Sequence, residues 1–144
     1  MIFREATVHD IDNYMIVRML VKENVLNNPA LVTKEDNIAY LTTDGKGWVC
    51  EIDNQIVGFA IVGLVQKSVW ALFVHPDFEQ RGIGTSLHNI MLQWYFEQTQ
   101  ETIWLGTAPM TKADKFYTKK GWSNVGFYGD EIKFEMCFDN WKKQ

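Results

Sequence analysis

The chain has 144 residues, of which 47% are hydrophobic and 22% charged, and its formal net charge is −4. This length fits one compact domain with a sizeable core. The lysines and arginines are scattered rather than clustered, which argues against a nucleic-acid partner, and no apolar run is long enough to span a bilayer.

The N-terminus and the cysteines favour a cytoplasmic protein. The opening segment "MIFREATVHD" is charged by position 4 and lacks the apolar stretch of a signal peptide. Cys50 and Cys137 stand alone in strand-like segments, without a CxxC pair or a nearby histidine, so we expect reduced core cysteines and no metal site. His9 and His88 also lack metal-ligand spacing and are expected to be surface or packing residues.

The first predicted elements are one strand and two helices. The segment "IFREAT" has the composition of a strand. Capping boxes, in which a threonine is followed three residues later by an acid, then stand at Thr7–Asp10 and Thr33–Asp36. They precede the helix-compatible segments "IDNYMIVRMLVKENV" and "NIAYLTT", which are therefore predicted to be helical.

Three consecutive strands are predicted next. The first contains the alternating apolar residues Trp48, Cys50 and Ile52, and Asp53-Asn54 forms a short turn after it. The second, "IVGFAIVGL", is apolar enough to be buried on both faces, and "VWALFV" is the third.

The second half of the chain alternates helices and strands. A helix begins near Gly82, "IWLGT" is a strand, and a third capping box at Thr111–Asp114 begins a helix that ends at Gly121. A final hairpin turns at Gly129-Asp130. The order βααβββαβαββ predicts a mixed sheet with helices on both faces. The apolar positions behind these predictions are Ile83, Leu87, Ile90, Met91 and Trp94 in the helix and Ile132, Phe134, Met136 and Phe138 in the last strand.

The stretch "VHPDFEQRGIGT" places two glycines where a strand passes into a helix. Unpaired N–H groups at a helix start favour an anion, and two common phosphate loops can be tested against the sequence. A Walker A loop needs a lysine, and none follows Gly84. The dinucleotide fingerprint needs a third glycine, where Leu87 stands, and a leading βαβ unit, where hairpins are predicted. Neither loop matches.

A third pattern fits this stretch. The strand "ALFV", the His-Pro turn, the loop Gln80–Thr85 and the helix beyond resemble motif A of the GNAT acetyltransferases. "ADKFYTKKGW" at 113–122 resembles the family's "A..FY.k.GF" helix, and Asp53-Asn54-Gln55 before "IVGFA" is similar to its β2–β3 hairpin. The element order matches from residue 2 to about 139.

The resemblance implies a fold for the whole chain. Residues 1–144 would form a single GNAT domain of the α+β class, with three layers in the order α/β/α. Its sheet would be mixed and mostly antiparallel, with about seven strands and with four helices distributed over both faces.

The resemblance also implies acetyl-CoA as cosubstrate. Backbone groups of Leu72, Phe73 and Val74 would pair with its pantetheine arm, and a main-chain N–H there would polarise the thioester carbonyl. The residues Gln80 to Thr85 would bind the pyrophosphate. Tyr117 falls on the family's tyrosine and would be the general acid for the departing thiolate. The implied cofactor-binding residues are Leu72, Phe73, Val74, Gln80, Arg81, Gly82, Ile83, Gly84, Thr85 and Phe116.

Two positions depart from the family pattern. The pattern [Q/R]xxGx[G/A] has Glu79 at its first position here, and a carboxylate beside a diphosphate is unfavourable unless it points to solvent or caps its own backbone. Met110 stands where many members have an asparagine that contacts pantetheine or helps the acceptor site. We still expect the loop to bind the pyrophosphate, because backbone N–H groups donate most of the hydrogen bonds to it.

The general base stays open in the sequence. The fourth strand, "QKSVWALFV", carries no carboxylate at the place where members with a strand glutamate often have it. Glu51, His75 and Glu131 are candidates, each with a simple structural role as alternative, and a chain of water molecules would serve equally.

The acceptor pocket of this fold is lined by the first two helices, the fourth strand and the last hairpin. Glu23, Asn24 and Asn27 lie where the first predicted helix ends, and Trp70 lies on the fourth strand. A carboxylate near an aromatic ring could receive a cationic amine, although a polar helix end and a core tryptophan explain the same residues.

Two functions remain at this stage. The first is an enzyme that transfers an acetyl group from acetyl-CoA to a primary amine, of a small molecule by preference or of a protein or peptide. The second is a non-catalytic acyl-CoA-binding or sensing module on the same fold. Tyr117 favours the enzyme. No nucleic-acid or membrane partner is expected, and the resemblance is compatible with a homodimer.

Overall fold

The computed structural model describes residues 1–21 and 32–144. A seven-stranded sheet in the order β1-β2-β3-β4-β5-β7-β6 forms the middle layer. All neighbouring strands are antiparallel except β4 and β5, which are parallel. The predicted mixed, mostly antiparallel sheet is therefore confirmed. The strands are β1 (Ile2–Glu5), β2 (Gly45–Ile52), β3 (Gln55–Gly63), β4 (Ser68–Val74), β5 (Ile103–Thr107), β6 (Ser123–Tyr128) and β7 (Glu131–Met136).

Three helical segments begin at the predicted threonine caps. Thr33 and Asp36 form the reciprocal capping box, and Thr111 Oγ1 accepts from the Asp114 N–H. At Thr7 the same box begins a short 3₁₀ turn that continues into the first helix. The helices are α1 (Ile11–Leu20), α2 (Lys34–Ala39), α3 (Ile83–Gln98), α4 (Lys112–Lys119) and α5 (Phe138–Lys142).

Four helices were predicted, and residues 1–21 and 32–144 contain five. Phe138, predicted as the last alternating residue of the final strand, instead begins α5, and β7 ends at Met136. Phe138 and Trp141 are three residues apart, so a helix turns both rings toward Phe96 on α3, at centroid distances of 5.7 and 6.0 Å. An apolar residue at position 138 fits the period of a strand and that of a helix, and packing against α3 favours the helix.

The first helix is shorter than predicted. Val21 is extended, with φ −77° and ψ 120°, so α1 ends at Leu20 and not near Val25. The candidate acceptor residues Glu23, Asn24 and Asn27 lie outside the described residues.

The sheet separates two apolar clusters and so has helices on both faces. Alternating residues of β3 point to opposite sides, Ala60 and Val62 to one and Phe59 and Ile61 to the other. The first side packs against α3, α4 and α5, and the second against α1 and the turn after α2. Every residue of β3 after Gln55 is buried, as predicted.

The remaining expectations concern membranes and cysteines. Within 1–21 and 32–144, no helix has both the length and the apolar character needed to cross a bilayer. Cys50 is buried and Cys137 half-buried, and both are free thiols.

Candidate active site

Strands β4 and β5 diverge toward their carboxyl ends. In the described chain they pair only at Ser68 and Trp104, near the start of β4. On its other edge β4 pairs with β3 up to Val74, and the His75 N–H donates to Val57 O at 2.7 Å. Backbone groups alternate along a strand, so those of Leu72 and Val74 point away from β3 into the gap, whereas those of Phe73 face β3.

The loop between β4 and α3 lies at this gap, and its backbone N–H groups are available there. His75 Nδ1 accepts from the Asp77 N–H at 3.0 Å and so caps a short turn over Pro76–Phe78. Gln80 and Gly82 then adopt positive φ of 63° and 79°. Gly82 is the N-cap of α3 and provides no side-chain cap, which leaves the first N–H groups of the helix free for a ligand.

A cleft of about 570 Å³ joins the diverging strands, this loop and α4. All but one of the predicted cofactor-binding residues line it, and so does Tyr117. The exception is Arg81, whose guanidinium lies 5.0 Å from the centroid of the Phe78 ring. The predicted residues that line the cleft are Leu72, Phe73, Val74, Gln80, Gly82, Ile83, Gly84, Thr85, Phe116 and Tyr117.

Tyr117 is held in the cleft wall by aromatic neighbours. Its ring contacts those of Phe116, Trp122 and Phe134, and only 6% of the residue is exposed. Burial raises the pKa of the Tyr117 hydroxyl above its ordinary value. The hydroxyl therefore stays protonated at neutral pH, which is the state that a general acid requires.

The end of α4 orients Tyr117 through a glycine turn. Gly121 has φ +89°, its N–H donates to Thr118 O, and the Trp122 N–H donates to Tyr117 O at 3.0 Å. Trp122 Nε1 donates to His88 Nε2 at 3.0 Å, which links the turn to α3. Burial lowers the pKa of His88, so the ring is neutral and accepts this bond. His88 is thus the packing residue that was expected.

The unexpected carboxylate at the loop is paired. Glu79 Oε2 accepts from Lys112 Nζ at 3.0 Å, and both residues line the cleft. The pair is largely exposed, with side-chain exposures of 38% for Glu79 and 75% for Lys112. Met110, the other departure, is 90% exposed with φ +59°, and its N–H donates to Asp114 Oδ2. Neither departure therefore blocks the cleft.

The candidate bases do not line the cleft. Glu51 Oε1 accepts from Arg4 Nε at 3.0 Å in an ion pair on the β1–β2 edge. His75 caps its own turn, and Glu131 begins β7. Among the described residues, Glu79 is the only carboxylate of the cleft lining.

Trp70 is also absent from the cleft lining. It is stacked on Tyr40 with a centroid distance of 4.1 Å and an interplanar angle of 7°. A register shift pairs Ile61 with Ala71 but Val62 with Val69, so Trp70 is the extra residue of a β-bulge. The bulge turns Trp70 toward the same side of the sheet as Ala71, where α1 lies.

Sequence reasoning missed several residues of the lining. Lys112 and Ala113 precede the recognised aromatic pair on α4, and Val21 follows α1. Pro76 and Phe78 lie in the turn before the loop. The turn residues could have been found from their position between strand and glycines, whereas the place of Val21 depends on how α1 packs across the sheet.

Comparison with known proteins gives a family for this arrangement. The model of the acetyltransferase (GNAT) family matches residues 14–122. No curated protein sequence matches significantly.

Solved structures share the fold at low sequence identity. A GNAT-family acetyltransferase from Staphylococcus aureus Mu50 has a TM-score of 0.82 and 17% identity, over 95% of this chain and 98% of that one. The PaiA N-acetyltransferase from Thermoplasma acidophilum, in complex with coenzyme A, has a TM-score of 0.79 and 14% identity, over 94% and 98%. The ribosomal-protein-S18-alanine N-acetyltransferase from Escherichia coli has a TM-score of 0.73 and 14% identity, over 94% and 90%.

Proposed function

The chain belongs to the acetyltransferase (GNAT) family, and we propose that it transfers the acetyl group of acetyl-CoA to a primary amine of a small molecule. The observation that carries this proposal is that Tyr117 and the loop of free N–H groups line one and the same cleft. Acetyl-CoA needs N–H groups that bind its diphosphate and an acid near its sulfur, and the loop and Tyr117 would provide them.

The described residues fit acetyl-CoA in shape and in chemistry. The N-terminus of α3 offers uncapped N–H groups to the diphosphate, and the gap beside β4 offers the backbone of Leu72 and Val74 to the extended arm. When bound, acetyl-CoA supplies an acetyl group activated as a thioester. A strand N–H at the carbonyl oxygen would stabilise the negative charge that develops as the amine attacks.

Proton transfer completes the proposed reaction. The amine nitrogen forms a bond to the carbonyl carbon while the carbon–sulfur bond breaks, in direct attack with both substrates bound. The Tyr117 hydroxyl gives its proton to the departing sulfur, and the amine loses a proton. The described cleft has no unpaired carboxylate to accept that proton, because Glu79 is bound to Lys112, so a water chain is the proposed route.

The first test is binding. Saturating acetyl-CoA should raise the melting temperature, because a ligand at 100 times its Kd adds about 2.7 kcal/mol to the free energy of unfolding. Acetylated amines without the CoA moiety should give no shift. No shift with acetyl-CoA would overturn the proposed function.

The second test is turnover. Thiol release from acetyl-CoA should appear with at least one class of small primary amines and exceed the rate without amine. A peptide with a free N-terminal alanine belongs in the same panel, because the Escherichia coli neighbour is named for a ribosomal-protein alanine. Thiol release with the peptide and with no small amine would indicate that the acceptor is a protein and not a small molecule.

Neutralising Glu79 should tighten acetyl-CoA binding. Glu79→Gln removes a negative charge from the loop side of the cleft and so removes the ion pair between Glu79 and Lys112 Nζ. We expect Kd to fall a few-fold at low salt and the effect to shrink at 0.5 M salt, because exposed charges are screened. Isothermal titration measures both values.

The control for this variant is Glu97→Gln, the same charge change in the last turn of α3. It should leave the Kd for acetyl-CoA unchanged. Weaker binding in Glu79→Gln would show that Glu79 supports the loop rather than opposing the diphosphate.

A further inference from the structure

Arg18 presents a half-buried positive charge that no described carboxylate compensates. Its Nε–H is buried and has no hydrogen-bond partner in the described parts of the chain. None of the ion pairs among residues 1–21 and 32–144 includes it. A partly desolvated guanidinium without a counter-charge among residues 1–21 and 32–144 is unfavourable, so a bound anion would stabilise it.

The position of Arg18 connects this charge to the cleft. Its Cζ lies 4.5 Å from the centroid of the Phe73 ring. Phe73 and Val21, which follows the last turn of α1, both line the cleft. Phe73 packs on the α1 side of the sheet, whereas Tyr117 and α3 belong to the cluster on the other side. Arg18 is therefore joined to the cleft through the Phe73 ring, on the side of the sheet opposite to the proposed acid.

Arg4 shows how the chain treats an arginine with a structural role. Its Nη1 and Nη2 each donate to an oxygen of Asp10 at 2.8 Å, and Nε donates to Glu51. Those two carboxylates satisfy the fork of the guanidinium. Arg18 lies over the Phe73 ring and has no ion pair with another described residue, and burial lowers its pKa below the ordinary arginine value.

We propose that Arg18 binds a carboxylate of the acceptor, so that the acceptor is a small amine that also carries a carboxylate, with α-amino acids as the simplest members. A guanidinium stacked on an aromatic ring keeps its edge donors free, and this planar fork matches a carboxylate through two parallel hydrogen bonds. The inference rests on the proposed acetyl transfer to a small-molecule amine.

The test compares acceptors that differ only in charge. Alanine, leucine, phenylalanine, methionine and lysine are each assayed beside their carboxamides by thiol release from acetyl-CoA. For the best acceptor, the wild type should show a kcat/KM at least about tenfold higher for the free acid than for the carboxamide, because charge-assisted hydrogen bonds contribute about 1.5–3 kcal/mol. The carboxamide has the more abundant neutral amine, so this bias acts against the expected preference.

Variants of Arg18 assign the preference. Arg18→Met keeps the apolar stem on Phe73. The kcat/KM values for the free acid and the carboxamide should then differ by no more than about twofold, because the KM for the acid rises while kcat is unchanged. Arg18→Lys keeps the charge without the fork and should give an intermediate ratio. Arg81→Met is the matched control, since Arg81 also lies over a phenylalanine, and it should retain the ratio whatever it does to the KM for acetyl-CoA.

Each outcome decides a different claim. A wild type that acetylates acids and carboxamides equally, or an Arg18→Met that keeps the preference, overturns the inference and leaves the proposed function intact. If no amino acid reacts, melting temperatures in the presence of coenzyme A replace turnover, and absence of a shift with every free acid also overturns it. The absence of any shift with acetyl-CoA alone instead removes the proposed function itself.

Discussion

Replacing Tyr117 with phenylalanine is expected to lower kcat about 10²-fold while the KM for acetyl-CoA stays within about twofold. The variant removes one proton donor and keeps the ring that packs on Phe116, Trp122 and Phe134. The pKa of Tyr117 is raised by burial, so wild-type activity should show no loss from this group below pH 10. Steady-state thiol release across pH 6–10 measures both effects.

Tyr95→Phe is the control for this result. Tyr95 is fully buried on α3, and its hydroxyl also has no hydrogen-bond partner in the described chain. Removing that hydroxyl should leave kcat unchanged and the melting temperature equal or slightly higher. A Tyr117→Phe enzyme with full kcat would contradict the assignment of the acid, and equal losses in both variants would point to folding rather than chemistry.

Replacing Gly82 with valine is expected to raise the Kd for acetyl-CoA at least about tenfold. Gly82 has φ +79°, and a β-branched residue there is strained by about 1–2 kcal/mol even though no atom lies within 4 Å of an added Cβ. The loop would relieve this strain by rotating the peptide groups that begin α3, so that the N–H groups no longer converge on the diphosphate. Isothermal titration with acetyl-CoA measures the loss.

Gly129→Val separates strain from binding. Gly129 also has a positive φ, of +63°, with open space around its Cβ position, but it lies in the β6–β7 turn. Both variants should lower the melting temperature by about 4 °C, and only Gly82→Val should weaken acetyl-CoA binding. Equal affinities in the two variants would show that the conformation of Gly82 does not position the diphosphate site.

Local signals in the sequence were sufficient for most of the elements. Threonine caps determine where α2 and α4 begin, because the side chain satisfies N–H groups within the same turn. Asp53 and Asn54 both adopt positive φ, as a two-residue hairpin turn requires. The helix at Phe138 was missed because an apolar residue there fits a strand or a helix, and contact with Phe96 decides between them.

The candidate site likewise has features that short motifs predict and features that depend on contacts between distant segments. The glycines of the loop and the tyrosine of α4 were recognised from short motifs, since each motif is a local requirement on backbone or side chain. The pairing of Glu79 with Lys112 joins residues 33 positions apart, and no pattern within either segment contains it. Trp70, a predicted candidate for the acceptor pocket, is absent from the cleft lining for a related reason, because the β-bulge that turns it depends on the register with β3.

The sequence by itself determined the order of the elements up to β7, the glycine loop at the start of α3 and the motif pair that resembles the family, because these depend on neighbours within a few residues. The tertiary structure decided where β4 separates from β5, which charges meet across the cleft, and that the buried Nε of Arg18 has no hydrogen-bond partner among the described residues. Those features depend on distances between segments far apart in the chain. Packing of α1, α3 and α4 against one sheet sets these distances, and no single segment encodes them.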